Sequence, residues 1–136
     1  RGSIRELNNV SWIMEDHYNA NTSSMSEAIS KVEKFASSHS KSIVFILGDM
    51  AELGDVSLPA HEEVLERVRM TSPDEQIYLV GSEFKKVIEQ LKLESSEIQH
   101  FPESSTVVLK EHKNVVYLVK GSRSMALEAV YKKITV

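Results

Sequence analysis

The chain has 136 residues, with 16 Lys and Arg against 20 Asp and Glu and a net charge of −4; that is room for one domain with a real core and too little for two comfortable ones. Acids and bases interleave, and the lack of a basic run or basic–aromatic stripe argues against a nucleic-acid partner. Cysteine is absent, which excludes disulfides and thiolate chemistry, and no apolar run approaches the roughly 20 residues of a membrane span.

The chain opens Arg1-Gly2-Ser3 without an initiator Met. That start suits an expression scar or a cut inside a longer protein, and the second reading is favoured below. Ile4 to Leu7 is a short candidate strand. Asn8-Asn9 is a turn signal and Val10 to Met14 the next strand, so the two predict a hairpin with Trp12 in or beside it. Polar residues crowd the stretch after it: Asp16, His17, Tyr18, Asn19 and Asn21. The first helix is expected from about Ser24 to Ser37, with Met25, Ala28, Ile29, Val32 and Phe35 on one face. Ser24 and Glu27 read as a capping box at its start.

Ser42 to Leu47 is a near-continuous apolar run closed by Gly48-Asp49. Continuous apolarity predicts a strand covered on both faces. After a loop from Met50 to Ser57, Pro59 suits the first turn of a second helix. Val64, Leu65 and Val68 form its inner face, with His61 one turn earlier. Gln76 to Val80 is another apolar strand, closed by Gly81-Ser82, and Ser82 offers a cap for a helix with Phe84, Val87, Ile88 and Leu91 inward. Glu97 to Phe101 predicts a short edge strand. A weak helix is expected from Ser104 or Ser105 through Val107, Val108 and Leu109. Asn114 to Val119 is the second strongly buried strand, closed by Lys120-Gly121-Ser122. The last helix presents Leu127, Val130, Tyr131 and Ile134.

Five strand–helix units after an extra N-terminal strand predict a parallel α/β sheet. Ligands bind such sheets at the carboxyl ends of the strands. Reading off those ends gives Asp16, Asp49, Gly81-Ser82 and Lys120-Gly121-Ser122. Any one of these suits an ordinary turn. As a set, two acids, an amine and glycines that let a ligand approach the backbone favour a ligand edge. Neither a Gly-x-x-x-x-Gly-Lys-Ser/Thr loop nor a Gly-x-Gly-x-x-Gly is present, so any nucleotide's phosphates need another holder. The histidines at 17, 39, 100 and 112 lack paired metal-ligand spacing, and no dedicated metal site is expected. His61 reads as a half-buried core histidine rather than a catalyst.

Three segments carry a resemblance. Asp16-His-Tyr-Asn-Ala-Asn-Thr-Ser-Ser-Met25 resembles the Asp-x-Tyr-Asn-Ala-Asn-Pro-x-Ser-Met motif of the Mur ligases, in its UDP-N-acetylmuramoyl-tripeptide–D-alanyl-D-alanine ligase branch. Leu47-Gly-Asp-Met-Ala-Glu-Leu-Gly54 and Lys120-Gly-Ser-Arg-Ser-Met125 are similar to two further segments of that branch, in the same order. Thr22 stands where the branch has proline, which puts the stiffness of that turn in doubt.

The resemblance implies a Rossmann-like three-layer sandwich with a mostly parallel sheet of about six strands. It implies that residues 1–136 are a single domain, the C-terminal third domain of a three-domain bacterial enzyme, with the phosphate loop in the central domain. The chemistry it implies is ATP-dependent amide formation in peptidoglycan precursor synthesis. ATP phosphorylates the carboxylate of the UDP-MurNAc-tripeptide, and the amine of D-Ala-D-Ala attacks the acyl phosphate. ATP and Mg2+ are held mainly by the central domain, and this domain closes over the nucleotide. Carried over, Asp16 binds the ribose hydroxyls, Asn19 and Tyr18 lie beside adenine or the α-phosphate, and Arg1 contacts phosphate. Asn21, Lys120, Ser122 and Arg123 are candidates for the dipeptide side, with Lys120 suited to a carboxylate. No residue here is implied as catalytic in its own right. The resemblance further implies a cytoplasmic protein, a monomer, and no membrane insertion.

Two other readings compete. A phospho-accepting receiver also gathers acids, a Ser and a Lys at strand ends, loosely matching Asp16, Asp49, Ser82 and Lys120. Against it, Asp49 falls one strand too early for the phospho-acceptor, and Gly121 follows Lys120 where receivers carry proline. A non-catalytic interaction domain of the same fold class is the third reading.

Overall fold

The computed structural model describes residues 2–8, 11–16, 20–93 and 98–135. Six strands form one sheet: β1 (Ile4–Glu6), β2 (Trp12–Asp16), β3 (Ser42–Gly48), β4 (Ile77–Val80), β5 (Gln99–Phe101) and β6 (Val115–Lys120). Their spatial order is β1-β2-β6-β3-β4-β5. The predicted hairpin forms, with β1 antiparallel to β2 and Glu6 opposite Trp12. The other five strands are parallel.

The two unbroken apolar runs, β3 and β6, sit side by side at the centre, where both faces are covered. Their residues alternate between two cores. Phe45, Leu47, Val116 and Leu118 face α1 (Thr22–His39), α2 (Ser57–Arg69) and α3 (Ser82–Gln90). Val44, Ile46, Tyr117 and Val119 face the opposite side, closed by Val107 and by Leu127 and Val130 of the C-terminal segment with α4 (Glu128–Thr135). The result is the expected three-layer sandwich with a mostly parallel six-stranded sheet.

Two local expectations are corrected. Helix α1 begins two residues early, with Asn21 as its cap. The Asn21 side chain accepts from the Ser24 backbone N–H at 2.9 Å and the Ser24 hydroxyl accepts from the Asn21 N–H at 3.1 Å. Ser24 is thus the inner partner of the box, not the cap, and Glu27 has no part in it. The weak helix after Ser104 does not form beyond a single 3-10 turn, Ser104–Thr106. Val107 is buried while Val108 is 70% exposed, the alternation of an extended strap. The Lys133 ammonium bonds the carbonyls of Ser105 and Val107, which pins the strap to α4. Among the described residues the crossover from β5 to β6 therefore carries no α-helix. Trp12 packs across the sheet onto α1, 5.1 Å from Phe35 by ring centroids.

Candidate functional site

Strand order makes the site. β6 lies between β2 and β3. The latter two lead into α1 and α2 on one face of the sheet, and β6 leads into α4 on the other. The chain therefore parts to opposite faces on both sides of β6, the arrangement that opens a crevice beyond the strand ends. Asp16, Lys120 and Gly48-Asp49 end these three neighbouring strands.

Asp16 and Lys120 are register partners on parallel strands and point to the same face. The Lys120 ammonium donates to Asp16 Oδ2 at 2.9 Å. Lys120 is 0% exposed, while the Asp16 side chain keeps 22% exposure. A buried ammonium tolerates its desolvation only when paired, and Asp16 is one such partner.

Asp49 is 7% exposed and its carboxylate is fully engaged. Oδ2 accepts from the Glu83 N–H at 3.0 Å and Oδ1 from the Phe84 N–H at 3.1 Å. It thus caps α3 from across the sheet edge, a task expected of Ser82, which lies inside the helix's first turn. Gly81 holds the actual cap position at φ 115, and a Cβ there would stand 2.3 Å from the Asp49 carboxyl. The Asp49 backbone stitches the rim as well, with its N–H donating to Val80 O at 3.1 Å and its carbonyl accepting from Ser122 N–H at 3.0 Å.

The strand-end glycines do not open the backbone to a ligand, contrary to the sequence reading. A Cβ on Gly121 would lie 2.8 Å from the Gly48 Cα, and one on Gly48 would lie 3.0 Å from Met125 Cγ. They let β3, β6 and the segment after β6 close on one another.

His61 is fully buried, more so than the half-buried residue expected. Its Nε2 accepts from the Met50 N–H at 2.9 Å and Nδ1 donates to Ser57 O at 2.7 Å, which fixes the Nδ1–H tautomer. It anchors the 50–57 loop to α2. The Ser57 hydroxyl donates to Glu83 at 2.6 Å. With Lys86 as a second donor, it holds the Glu83 carboxyl below its ordinary 4.5. Asp49, Met50, Ser57, Glu83, Ser122 and Met125 are among the residues around a cavity of about 310 Å³ on this rim.

The remaining predicted residues fall as follows. Asn21 is exposed, and its carbonyl oxygen is committed to the α1 cap, leaving its amide nitrogen for a ligand. Ser122 is buried and lines the cavity, and Arg123 is exposed beside it. Arg1, His17, Tyr18 and Asn19 lie outside the described residues. Gly2 donates its N–H to Glu15 O at 3.2 Å, so the chain enters at this same edge. Ser57 and Glu83 were not anticipated, because their pairing spans 26 residues and has no local signal. Among the described residues no group of three His, Asp or Glu side chains could hold a metal ion.

The fold and its crevice define an open, doubly wound α/β domain with polar strand ends and neither of the two common phosphate-loop motifs. The chain belongs to the Mur ligase family: the family's glutamate ligase domain model matches residues 2–123. It is 30% identical over 126 residues to the UDP-N-acetylmuramoyl-tripeptide–D-alanyl-D-alanine ligase of Escherichia coli K12, covering 88% of this chain and 26% of that protein. To the enzyme of the same name from Bacillus subtilis 168 it is 34% identical over 128 residues, covering 88% of this chain and 27% of that protein. The chain thus spans about a quarter of the length of these relatives. Its fold is shared with MurF from Acinetobacter baumannii, at a TM-score of 0.74 and 22% identity over 98% of this chain and 30% of that one. It is shared equally with MurF ligase from Thermotoga maritima in complex with ADP, at 0.74 and 23% over 99% of this chain and 30% of that one. No relative or neighbour supports the receiver reading, and both Asp49 oxygens accept backbone N–H groups at the start of α3.

Proposed function

We propose that residues 1–136 are the C-terminal domain of an ATP-dependent ligase that joins D-alanyl-D-alanine to UDP-N-acetylmuramoyl-tripeptide. One observation carries this reading. The three segments that resemble that branch, 16–25, 47–54 and 120–125, converge on one edge through the adjacent strands β2, β6 and β3. Relatives bearing that activity's name support it along most of the chain.

In this reading Asp16 accepts hydrogen bonds from the ribose diol, for which two carboxylate oxygens are a suitable acceptor pair. Arg1, Tyr18 and Asn19 complete the nucleotide side. Asn21, Ser122 and Arg123 form the dipeptide side, and Lys120 lies between the two. ATP supplies the phosphoryl group that activates the tripeptide carboxylate. Mg2+, in this reading, is held mainly by the central domain of the complete protein. The domain's share of the rate comes from holding nucleotide and dipeptide together and excluding water on closure. The protein is expected to be cytoplasmic and monomeric.

The test uses the complete protein that carries this segment. It should form the pentapeptide product from ATP, UDP-MurNAc-tripeptide and D-Ala-D-Ala, while the 136-residue chain alone should hydrolyse no ATP. Turnover by the isolated chain, or no amide product from the complete protein, would overturn the assignment.

A further inference from the structure

We infer that Lys120 is a positioning residue for the nucleotide and not a ligand of the dipeptide carboxylate. The inference rests on the nucleotide reading of Asp16 and deepens it. Lys120 is the last residue of β6 and is 0% exposed. Its neighbours in register are Asp16 on one side and Leu47 on the other. Its ammonium donates to Asp16 Oδ2 at 2.9 Å, from beneath the cleft. A dipeptide in the cleft would have to displace protein to reach it. The exposed part of the pair is the Asp16 carboxylate.

Stability alone is a poor account of this pair. Replacing a buried ion pair with apolar side chains is often neutral or favourable, and the surroundings here would suit that: Leu47, Met14 and Leu118 share the face. What the pair does supply is orientation and charge. Holding one carboxylate oxygen restrains the orientation of the group before a ligand arrives, and preorganised groups lose less on binding. The second effect is long-range. A bare carboxylate repels a polyphosphate. An ammonium 2.9 Å away cancels most of that field at the distance of the phosphates, while leaving the short-range acceptor intact. The backbone holds the position of the amine, because Gly121 abuts the Gly48 backbone directly.

The experiment is steady-state kinetics on the complete protein with Lys120→Met, Asp16→Ala and the double variant, using ATP and 2′,3′-dideoxy-ATP. Lys120→Met should raise the KM for ATP on the order of tenfold, with kcat and the KM for D-Ala-D-Ala within about twofold of wild type. With dideoxy-ATP the orienting part of that penalty should vanish, leaving only the smaller charge effect. The double variant should resemble Asp16→Ala, since the two residues act as a unit. Lys120→Gln keeps a donor, one bond shorter and without the charge, and serves where Lys120→Met does not fold; it should lie between wild type and Lys120→Met. A raised KM for D-Ala-D-Ala with an unchanged KM for ATP would overturn the positioning role and make Lys120 a dipeptide ligand. Additive effects of the two substitutions would also overturn it. Should Asp16→Ala leave ATP dependence unchanged, the nucleotide reading itself falls.

Discussion

Substituting Asp49 by Ala removes a helix cap that comes from 34 residues away in the chain. The backbone bonds of Asp49 to Val80 and Ser122 survive the change, so the loss is confined to the carboxylate. Two charge-assisted bonds disappear, to the N–H groups of Glu83 and Phe84. Replacing an ordinary N-cap by Ala costs about 1 kcal/mol, within a range of roughly 0.5–2. Here one donor belongs to buried Phe84, and stranding a buried donor costs about 1–3 kcal/mol. A void at the rim admits water to the Glu83 N–H and returns part of that. The expected destabilisation is about 2–3 kcal/mol. For a domain between the small and medium classes, each kcal/mol shifts Tm by roughly 3–5 °C, so the chain should melt about 6–15 °C lower. Asp49→Asn keeps one acceptor and should lose about half as much. Thermal melts and urea midpoints on the isolated chain measure this. A Tm for Asp49→Ala within 2 °C or so of wild type would refute the cap and return Asp49 to the ligand edge.

His61→Ala deletes a fully buried ring and the bonds that tie Met50 and Ser57 together; a loss of about 3 kcal/mol is expected in urea unfolding, and a loss below 1 would show the loop is anchored by other contacts. Stability should also depend on His112. Burial, and then the charge of Lys110, holds its pKa below the ordinary 6.5, and Tyr78 donates to its Nε2 at 2.7 Å, since the Tyr78 oxygen already accepts from the Lys110 N–H. As pH falls, the unfolded chain takes up this proton first, so stability declines across the window just below 6.5 and levels off once the folded ring also protonates. His112→Gln keeps an acceptor and should flatten that part of the Tm–pH profile; an unaltered slope between pH 7 and 5 would exclude His112 as its source.

The central strands were legible because β3 and β6 are apolar on both faces, and only a doubly covered strand tolerates that. Helix faces were legible for the same periodic reason. The failures share a different cause. The cap of α1 was read as Ser24 with Glu27; the chain used the competing Asn21–Ser24 pair. Ser82 offered α3 a local cap, and the fold supplied Asp49 instead. Val107 and Val108 fit a helical face until the strap proved to have period two. In each case a local signal was sound and a non-local partner won. The strand ends were read as Asp16, Asp49 and Lys120, but their grouping required knowing that β6 inserts between β2 and β3. Nothing in a single sequence states that order.

That insertion explains why the two best-matched polar segments meet. Asp16 and Lys120 are 104 residues apart, yet parallel register makes them neighbours, so the acid and the amine that holds it come from opposite ends of the domain. Asp49, on the far side of β6, spends its carboxylate on α3 and its backbone on Ser122. The edge therefore divides its acids by task. One is sealed into the scaffold and sets where the rim stands. The other is held from below and left partly open above. Neither of the two common phosphate-loop motifs occurs in the 136 residues. In the proposed reading Asp16 meets the diol of the nucleotide, while most of the grip on its phosphates comes from another surface. On that reading, proximity on closure is the main contribution of this edge.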